Sequence, residues 1–395
     1  MGTAQLQSYL MKIGVIGPIW YNIPSKKYGG TESVVSNLVN GLSEKNHDVT
    51  LFGPATSDVK AKVHGTSIKP VFELGMDWNN NIVSQMYHIT EAFDRADDFD
   101  ILHMHLNKSH DYSSLLLAAV SQTPIIFTLH FPIPLRSHLE NKEEHSYHRQ
   151  DRLIMLEKFK MLPYTTISDA QQRPLDMNFI RTVYNSLEVS DYHFTPKSDN
   201  YFVWMGRVRK IKGTKEAILA AKEAGVALKL LGVVDQDIAG DVQYFEEEVK
   251  PLIDGKQIQW MGEADITMKN EIMGKAKAFL NPIQWEEPFG LVMTEALAMG
   301  VPVIALNRGS VPELVKDGVT GFVAENMQEF VTRIKEVEKI DRKACRDWVV
   351  EQFNNEQMIA GYEKAYDDVV TNWEAYKKNQ SVWLTEWKAK NRMIE

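Results

Sequence analysis

The passage Trp285-Glu286-Glu287-Pro288-Phe289-Gly290-Leu291-Val292-Met293-Thr294-Glu295 lies between two short apolar runs, Ala278 to Asn281 and Val301 to Leu306. Pro288 and Gly290 favour a turn, and Leu291 to Met299 reads as helix until Gly300 and Pro302 stop it. Strand, turn, helix and strand in that order make the crossover unit of a parallel sheet. The passage also places chemistry at the turn. Glu287 falls in the loop and Glu295 one turn into the helix, with the N–H groups of Phe289, Gly290 and Leu291 between them. Such donors, together with the helix dipole, attract an anion. A carboxylate on either side then suits hydroxyl-rich groups. The plain alternative is an ordinary strand-loop-helix turn with two solvated glutamates.

The same alternation extends along the chain. In the first half the strand candidates are Lys12 to Gly17, Asp48 to Gly53, Asp100 to His105, Pro124 to His130, Tyr164 to Ser168 and Arg181 to Asn185, with helical segments such as Thr31 to Lys45 and Asn80 to Ala96 between them. A polar stretch, Ser190 to Asn200, carries no periodicity and reads as an interdomain linker. A second series follows, with strands at Tyr201 to Met205, Ala227 to Gly232, Gln257 to Met261, Ala278 to Asn281, Val301 to Leu306 and Gly321 to Ala324. The fold class is therefore α/β, with two similar domains whose sheets would face each other across a cleft. From about Asp341 the pattern is helical. Trp348, Tyr362, Tyr366, Trp373, Tyr376, Trp383 and Trp387 read as packing residues of a terminal helix that crosses back to the first domain. The expected boundaries are an extension over 1–10, a first domain over 11–192 completed by a helix over about 365–395, and a second domain over 193–364.

Length and composition agree with this. At 395 residues the chain is long enough for two cores, and its net charge of -9 argues against a general nucleic-acid binder. A single cysteine, Cys345, excludes an intrachain disulfide framework and suits a reducing compartment, so the cytoplasm is the expected location. No apolar run is long enough to span a bilayer.

Three further motifs carry chemistry. Gly206-Arg207-Val208-Arg209-Lys210-Ile211-Lys212-Gly213 follows an apolar strand and precedes a helix. Arg207 can fork onto phosphate oxygens and Lys212 can act as a point charge, while Arg209 and Lys210 are expected to face solvent. Read on its own, such a basic loop is usually just a solvated turn; its place at a strand end in the same domain as the two-glutamate loop favours the functional reading. After the first strand, Tyr28-Gly29-Gly30-Thr31-Glu32 opens a helix; the glycines admit a ligand close to the backbone, or else form a flexible turn with Thr31 as cap. A G-x-G-x-x-G fingerprint is absent there, which disfavours hydride transfer. His103 and His105 end one strand and His130 the next. They lack the acidic neighbours of a metal site, and His130 reads as a hydrogen-bonding residue, with a structural imidazole as the competing reading.

Taken together, these residues resemble the retaining glycosyltransferases of family 4, which have the GT-B fold. The resemblance spans nearly all of residues 11–370. It rests on Tyr28-Gly29-Gly30-Thr31-Glu32, on Gly206-Arg207 with Lys212-Gly213, and on Glu287-Pro288-Phe289-Gly290 followed by Glu295. Gly300-Val301-Pro302-Val303-Ile304-Ala305 and Val311-Pro312-Glu313-Leu314-Val315 with Gly318 and Gly321 match the family's closing pattern. Two places depart from it: Asn185-Ser186-Leu187 replaces an Asn-Gly turn, and Gly232-Val233-Val234-Asp235 replaces a Gly-x-Gly.

The resemblance implies roles. Arg207 and Lys212 would neutralise the donor diphosphate, Glu287 would bind the donor sugar near its 3- and 4-hydroxyls, and Glu295 the ribose. Phe289, Gly290, Leu291 and Val292 would line the phosphate, with N–H groups given by Leu291 and Val292. His130 would touch the sugar near its 6-hydroxyl, and Gly29 and Gly30 would line the phosphate and acceptor side. Arg207, Lys212, Glu287 and His130 are thus the catalytic candidates. The implied reaction moves a hexose-type sugar from a nucleotide sugar, a UDP-sugar by the family's majority, to a hydroxyl on a small-molecule, glycan or lipid acceptor. No metal and no other cofactor is required. Alternatives are a GT-B epimerase or phosphorylase, or a non-catalytic carbohydrate- or nucleotide-binding protein. Peripheral membrane attachment is disfavoured by the acidic balance and the lack of a basic amphipathic helix, and the oligomeric state is left open. With both cations expected to be exposed, removing either should cost turnover far more than stability.

Overall fold

The computed structural model describes residues 10–25, 29–76, 81–133 and 147–391. Most of the expected extension over 1–10 lies outside the described residues, as do Tyr28 of the first glycine motif and much of the loop Pro132 to Arg149. The chain forms two compact units, Met1–Tyr184 with Asn355–Glu395, and Asn185–Asn354.

The first unit is built on a parallel sheet of β1 (Lys12–Ile16), β2 (Asp48–Pro54), β3 (Lys62–Ser67), β4 (Ile101–Leu106), β5 (Ile125–Leu129), β6 (Tyr164–Thr166) and β7 (Phe179–Thr182), in the order β3-β2-β1-β4-β5-β6-β7. Strands covered on both faces must be apolar throughout. Accordingly Ile13, Val15, Leu51, Ile101, Ile125 and Phe127 are fully buried. The register sets Val15 beside His103 and His105 beside Thr128. Helices α1 (Gly30–Glu44) and α2 (Ile82–Asp94) connect strands of this sheet, and α3 (Tyr147–Lys158) precedes β6.

The second unit repeats the plan with β8 (Phe202–Arg207), β9 (Leu228–Val233), β10 (Ile258–Gly262), β11 (Phe279–Asn281), β12 (Val303–Leu306) and β13 (Gly321–Ala324), in the order β10-β9-β8-β11-β12-β13. Its helices include α4 (Thr214–Ala224), α5 (Leu291–Ala298) and α6 (Arg342–Gln352). Gly213 has φ 71° and ends the loop before α4; a Cβ there would lie 2.0 Å from the Pro282 carbonyl oxygen, so the loops after β8 and β11 touch through backbone. Gln284 N–H donates to Ile211 O at 2.9 Å across the same seam.

The last helix, α7 (Asn355–Asn391), belongs to the first unit and packs back onto it. Tyr362, Tyr366, Val369 and Trp373 are buried there. The approach to α1 is close enough that a Cβ on Gly41 would meet Ile359 Cγ1 at 2.6 Å. Further along, Gln380 is bonded to Met161 N and Lys158 O, and Trp383 Nε1 donates to Glu157 O.

Three sequence expectations differ from what forms. The edge strand β3 was not expected, because Lys-Val-His-Gly-Thr-Ser is polar and half-exposed, and it pairs along one side with β2. Strand β7 covers Phe179–Thr182 rather than Arg181 to Asn185. The chain changes unit at Tyr184 and Asn355 rather than at 192 and 364. The stretch read as a linker is stitched into the second unit by two arginines of α6. Arg346 donates to Ala298 O and to Val189 O and Tyr192 O, while Arg342 donates to Thr195 O, Ala276 O and Gly274 O.

Candidate functional site

Ligands of open α/β sheets bind at the carboxyl ends of strands where the strand order reverses. In the second unit that point lies between β8 and β11. Arg207 ends β8, the loop after it carries Val208 to Lys212 and the loop after β11 carries Trp285 to Gly290, so the topology joins two motifs 75 residues apart: Lys212 Nζ lies 2.5 Å from Glu287 Oε2. The same oxygen accepts from Trp285 Nε1 at 2.9 Å, and the lysine nitrogen sits 4.5 Å from the centre of the Trp285 ring. Behind them Trp204 Nε1 holds the Lys212 carbonyl at 3.2 Å.

The backbone fixes the Glu287 loop. Gly290, at φ 90°, caps α5, and a Cβ there would press on Met293 Cε and Glu287 Cγ. Gly309, at φ 54°, lies against the same loop so closely that a Cβ would fall 2.2 Å from Glu287 O. Ser310 N–H donates to Glu287 O, Ser310 Oγ to Phe289 O, and Gly309 N–H to Glu286 Oε2. Leu291 and Val292 are half-buried and open α5, whose first turn has N–H groups without intrahelical partners. Phe289 differs from expectation in that its ring is core: it is buried and meets Phe353 edge-on at 5.8 Å, so only its backbone can serve a ligand.

Glu295 is 8% exposed, and both its oxygens are held by Lys269 Nζ at 3.0 and 2.9 Å. Tyr192 OH donates to the same carboxylate at 3.2 Å; burial and that negative charge push the phenol far above its ordinary range. Arg207 Nη1 lies 3.5 Å from Asp235 Oδ2, which belongs to the segment that departs from the Gly-x-Gly pattern. Arg209, expected in solvent, instead donates to the buried Asp241 at 2.9 Å. The expectation that Arg207 and Lys212 are freely exposed is thus corrected: their side chains are 13% and 26% exposed, each beside a carboxylate. Lys269, Tyr192 and Asp235 were missed by motif reading. None stands in a recognisable pattern, and only the fold brings them in.

In the first unit the sheet reverses between β1 and β4. Gly29, at φ 153°, is the cap of α1, where a Cβ would meet Ser25 Cβ at 2.6 Å; Gly30 starts the helix. Thr31 lies within the first turn rather than capping it, and Ser33 Oγ donates back to Gly29 O. His130 follows β5, with its N–H on Leu106 O at 3.0 Å. Its Nε2 lies 2.8 Å from His105 Nδ1, and the His103 and His105 rings stack at 4.2 Å. His103 bridges Thr128 Oγ1 at 2.7 Å and Tyr366 OH at 2.8 Å. Burial keeps the three imidazoles neutral, lowering His103 and His130 to about 3 and His105 well below its usual value. Among the described residues no group of three or more His, Cys, Asp or Glu is arranged to hold a metal ion. No helix among them is long and apolar enough to cross a membrane.

Two family models match the chain, Glycosyltransferase Family 4 over residues 28–160 and Glycosyl transferases group 1 over residues 188–352. The phosphatidyl-myo-inositol mannosyltransferase of Mycolicibacterium smegmatis is 24% identical over 330 residues, 79% of this chain and 80% of that one. Among solved structures, sucrose-phosphate synthase from Thermosynechococcus elongatus superposes with a TM-score of 0.75 at 18% identity, covering 91% of this chain and 99% of that one. Anabaena HepE in complex with UDP-glucose superposes with a TM-score of 0.65 at 18% identity, covering 91% of this chain and 100% of that one. With one model on each unit and the same two-sheet architecture in those structures, the chain belongs to the family 4, group 1 glycosyltransferases and is a transferase of the GT-B fold.

Proposed function

We propose that this enzyme transfers a hexose-type sugar from a UDP-sugar to a hydroxyl acceptor with retention of anomeric configuration. The observation that carries the reading is the Lys212–Glu287 pair beside the α5 N-terminus, at the reversal point of the second sheet. The donor diphosphate takes Lys212, Arg207 and the N–H groups of Leu291 and Val292. Glu287 takes the sugar hydroxyls, Glu295 the ribose, and His130 donates to the sugar. Gly29 and Gly30 line the phosphate and acceptor side. The second unit holds the donor and the first supplies the acceptor side.

No side chain of the set stands out as a covalent nucleophile, and the resemblance to the retaining family 4 enzymes suggests that the acceptor oxygen attacks on the face the leaving group departs from. The anomeric carbon–phosphate oxygen bond breaks, the carbon–acceptor oxygen bond forms, and the acceptor proton passes to the departing diphosphate. Lys212, Arg207 and the helix N-terminus hold the charge that develops there. As the family resemblance implies, these cations and the helix N-terminus take the place of a metal, and turnover should survive EDTA. The buried, unpaired Cys345 is compatible with cytoplasmic residence.

The test is a thermal-shift and calorimetric screen of the full chain against UDP-, GDP- and ADP-sugars, since a ligand that binds the folded state raises its melting point. Stabilisation by a UDP-sugar, with an acceptor product of the donor's anomeric configuration by NMR, is the expected result. Stabilisation only by a GDP- or ADP-sugar would replace the base, and an inverted product would sink the front-face reaction.

A further inference from the structure

Neutral imidazole carries one N–H and one bare nitrogen, so the contact between His105 Nδ1 and His130 Nε2 at 2.8 Å has two forms. In one, His130 donates. His105 must then carry its proton on Nε2, which is buried without a partner among the described residues. In the other, His105 donates from Nδ1 and its buried Nε2 is a bare lone pair. A buried N–H without an acceptor is the rarer defect in folded proteins, which selects the second form. His130 then accepts at Nε2 and must carry its proton on Nδ1, the ring nitrogen with no protein partner among the described residues.

We propose that His105 is a positioning residue: by donating from Nδ1 it locks His130 in the Nδ1–H tautomer, so that His130 meets its ligand as a hydrogen-bond donor. The inference rests on the reading above that His130 contacts the donor sugar, whose hydroxyl oxygens accept such a bond. His105 is itself fixed. It is 2% exposed, stacked on His103, and His103 is held at both nitrogens by Thr128 and by Tyr366 of α7. The terminal helix thereby reaches the ring at the end of β5 through two intervening imidazoles.

The test uses the full chain labelled with 15N-histidine. Two-bond nitrogen–proton correlations report which ring nitrogen carries the proton, with His130→Gln and His105→Asn giving the assignments. The expected result is a neutral His130 protonated at Nδ1 in the wild type and in His105→Asn, whose amide N–H replaces the imidazole donor. In His105→Leu the same ring should show averaged tautomers. A wild-type His130 protonated at Nε2 overturns the proposal, as does an unchanged tautomer in His105→Leu.

A second arm measures UDP release from UDP-glucose. His105→Leu should lower kcat about tenfold while His105→Asn stays within about threefold of wild type. In a His130→Gln background His105→Leu should add nothing, and an equal loss in both backgrounds overturns action through His130. If the wild type neither binds nor turns over any nucleotide sugar, the donor reading has failed, and the tautomer spectra still decide the role of His105.

Discussion

Removing Lys212 is expected to damage stability and turnover together, contrary to the reading of an exposed loop cation. In Lys212→Met, Glu287 keeps Trp285 Nε1 at 2.9 Å as the one side-chain donor on the oxygen that Lys212 held at 2.5 Å. The gross attraction between unit charges about 4 Å apart is about 4 kcal/mol at an effective dielectric constant of 20. Much of this only offsets desolvation, and the 26% exposure of the lysine side chain lets solvent screen the pair. A net cost of about 2 kcal/mol follows for Lys212→Met, because the carboxylate left behind is nearly buried. Glu287→Gln should cost less, about 1 kcal/mol, since the freed lysine can turn toward solvent.

The double variant then decides the matter. Independent sites would add to about 3 kcal/mol, whereas a true pair predicts a double variant less destabilised than that by 1–2 kcal/mol, roughly. In a unit of this size each kcal/mol moves the melting temperature by about 2–4 °C, so Lys212→Met should melt about 4–8 °C low. Urea unfolding of the four species measures the cycle. Transfer assayed well below the lowest melting temperature should still show a loss of about 10²- to 10³-fold for Lys212→Met, the scale for removing a charge that stabilises a leaving group. Additivity within about 0.5 kcal/mol would refute the coupling, and a wild-type transfer rate would refute the leaving-group role.

Three other expectations follow from the geometry. Gly309→Ala should cost several kcal/mol or displace the Glu287 loop, because its Cβ would sit 2.2 Å from Glu287 O at a φ of 54°; an unchanged melting temperature and UDP affinity would contradict this. Glu295→Gln and Lys269→Met should each weaken UDP binding by calorimetry, the second by releasing the carboxylate it grips at both oxygens; unaltered affinity in both removes the ribose assignment. Acid should open the first unit before the second. Burial holds His88 at about 4 and His103 and His130 at about 3, with His105 also well lowered, so only the unfolded chain takes up these protons as pH falls below 6.5. Their stabilisation is complete above that pH and is lost toward pH 3–4, by about 1.4 kcal/mol per ring per pH unit. Asp111, raised to about 6 by burial, acts in the opposite sense down to 3.8 and offsets one ring. Hydrogen exchange at pH 7.5 and 5.5 should therefore show protection falling in the first unit, and equal losses in both units would contradict it.

The readable parts of the sequence were those where one short segment contains the whole physical cause. Val- and Ile-rich runs separated by amphipathic segments announce parallel strands, and Pro288 with Gly290 announces the turn before α5. Edge strand β3 was hidden because it buries too little to need an apolar sequence. The unit boundary was hidden because Ser190 to Asn200 is polar for another reason: its carbonyls at Tyr192 and Thr195 are acceptors for Arg346 and Arg342, far along the chain. Site residues divide the same way. Arg207, Lys212, Glu287 and Glu295 stand in local patterns, whereas Lys269 and His105 acquire their partners only from strand order and helix packing.

Pairing within the second unit changes how an anionic donor must be held. Arg207 faces Asp235, Lys212 faces Glu287 and Lys269 faces Glu295, so each cation named for the site already has a carboxylate, in a chain whose net charge is -9. A diphosphate is therefore not drawn in by a surplus of positive charge. It must take Lys212 and Arg207 from their carboxylates, and those carboxylates are offset only if hydroxyl donors arrive with it. On the proposed roles, a sugar at Glu287 and a ribose at Glu295 would supply such donors. The arrangement thus favours a whole nucleotide sugar over inorganic diphosphate, because only the former pairs the cations and repays the carboxylates in one step.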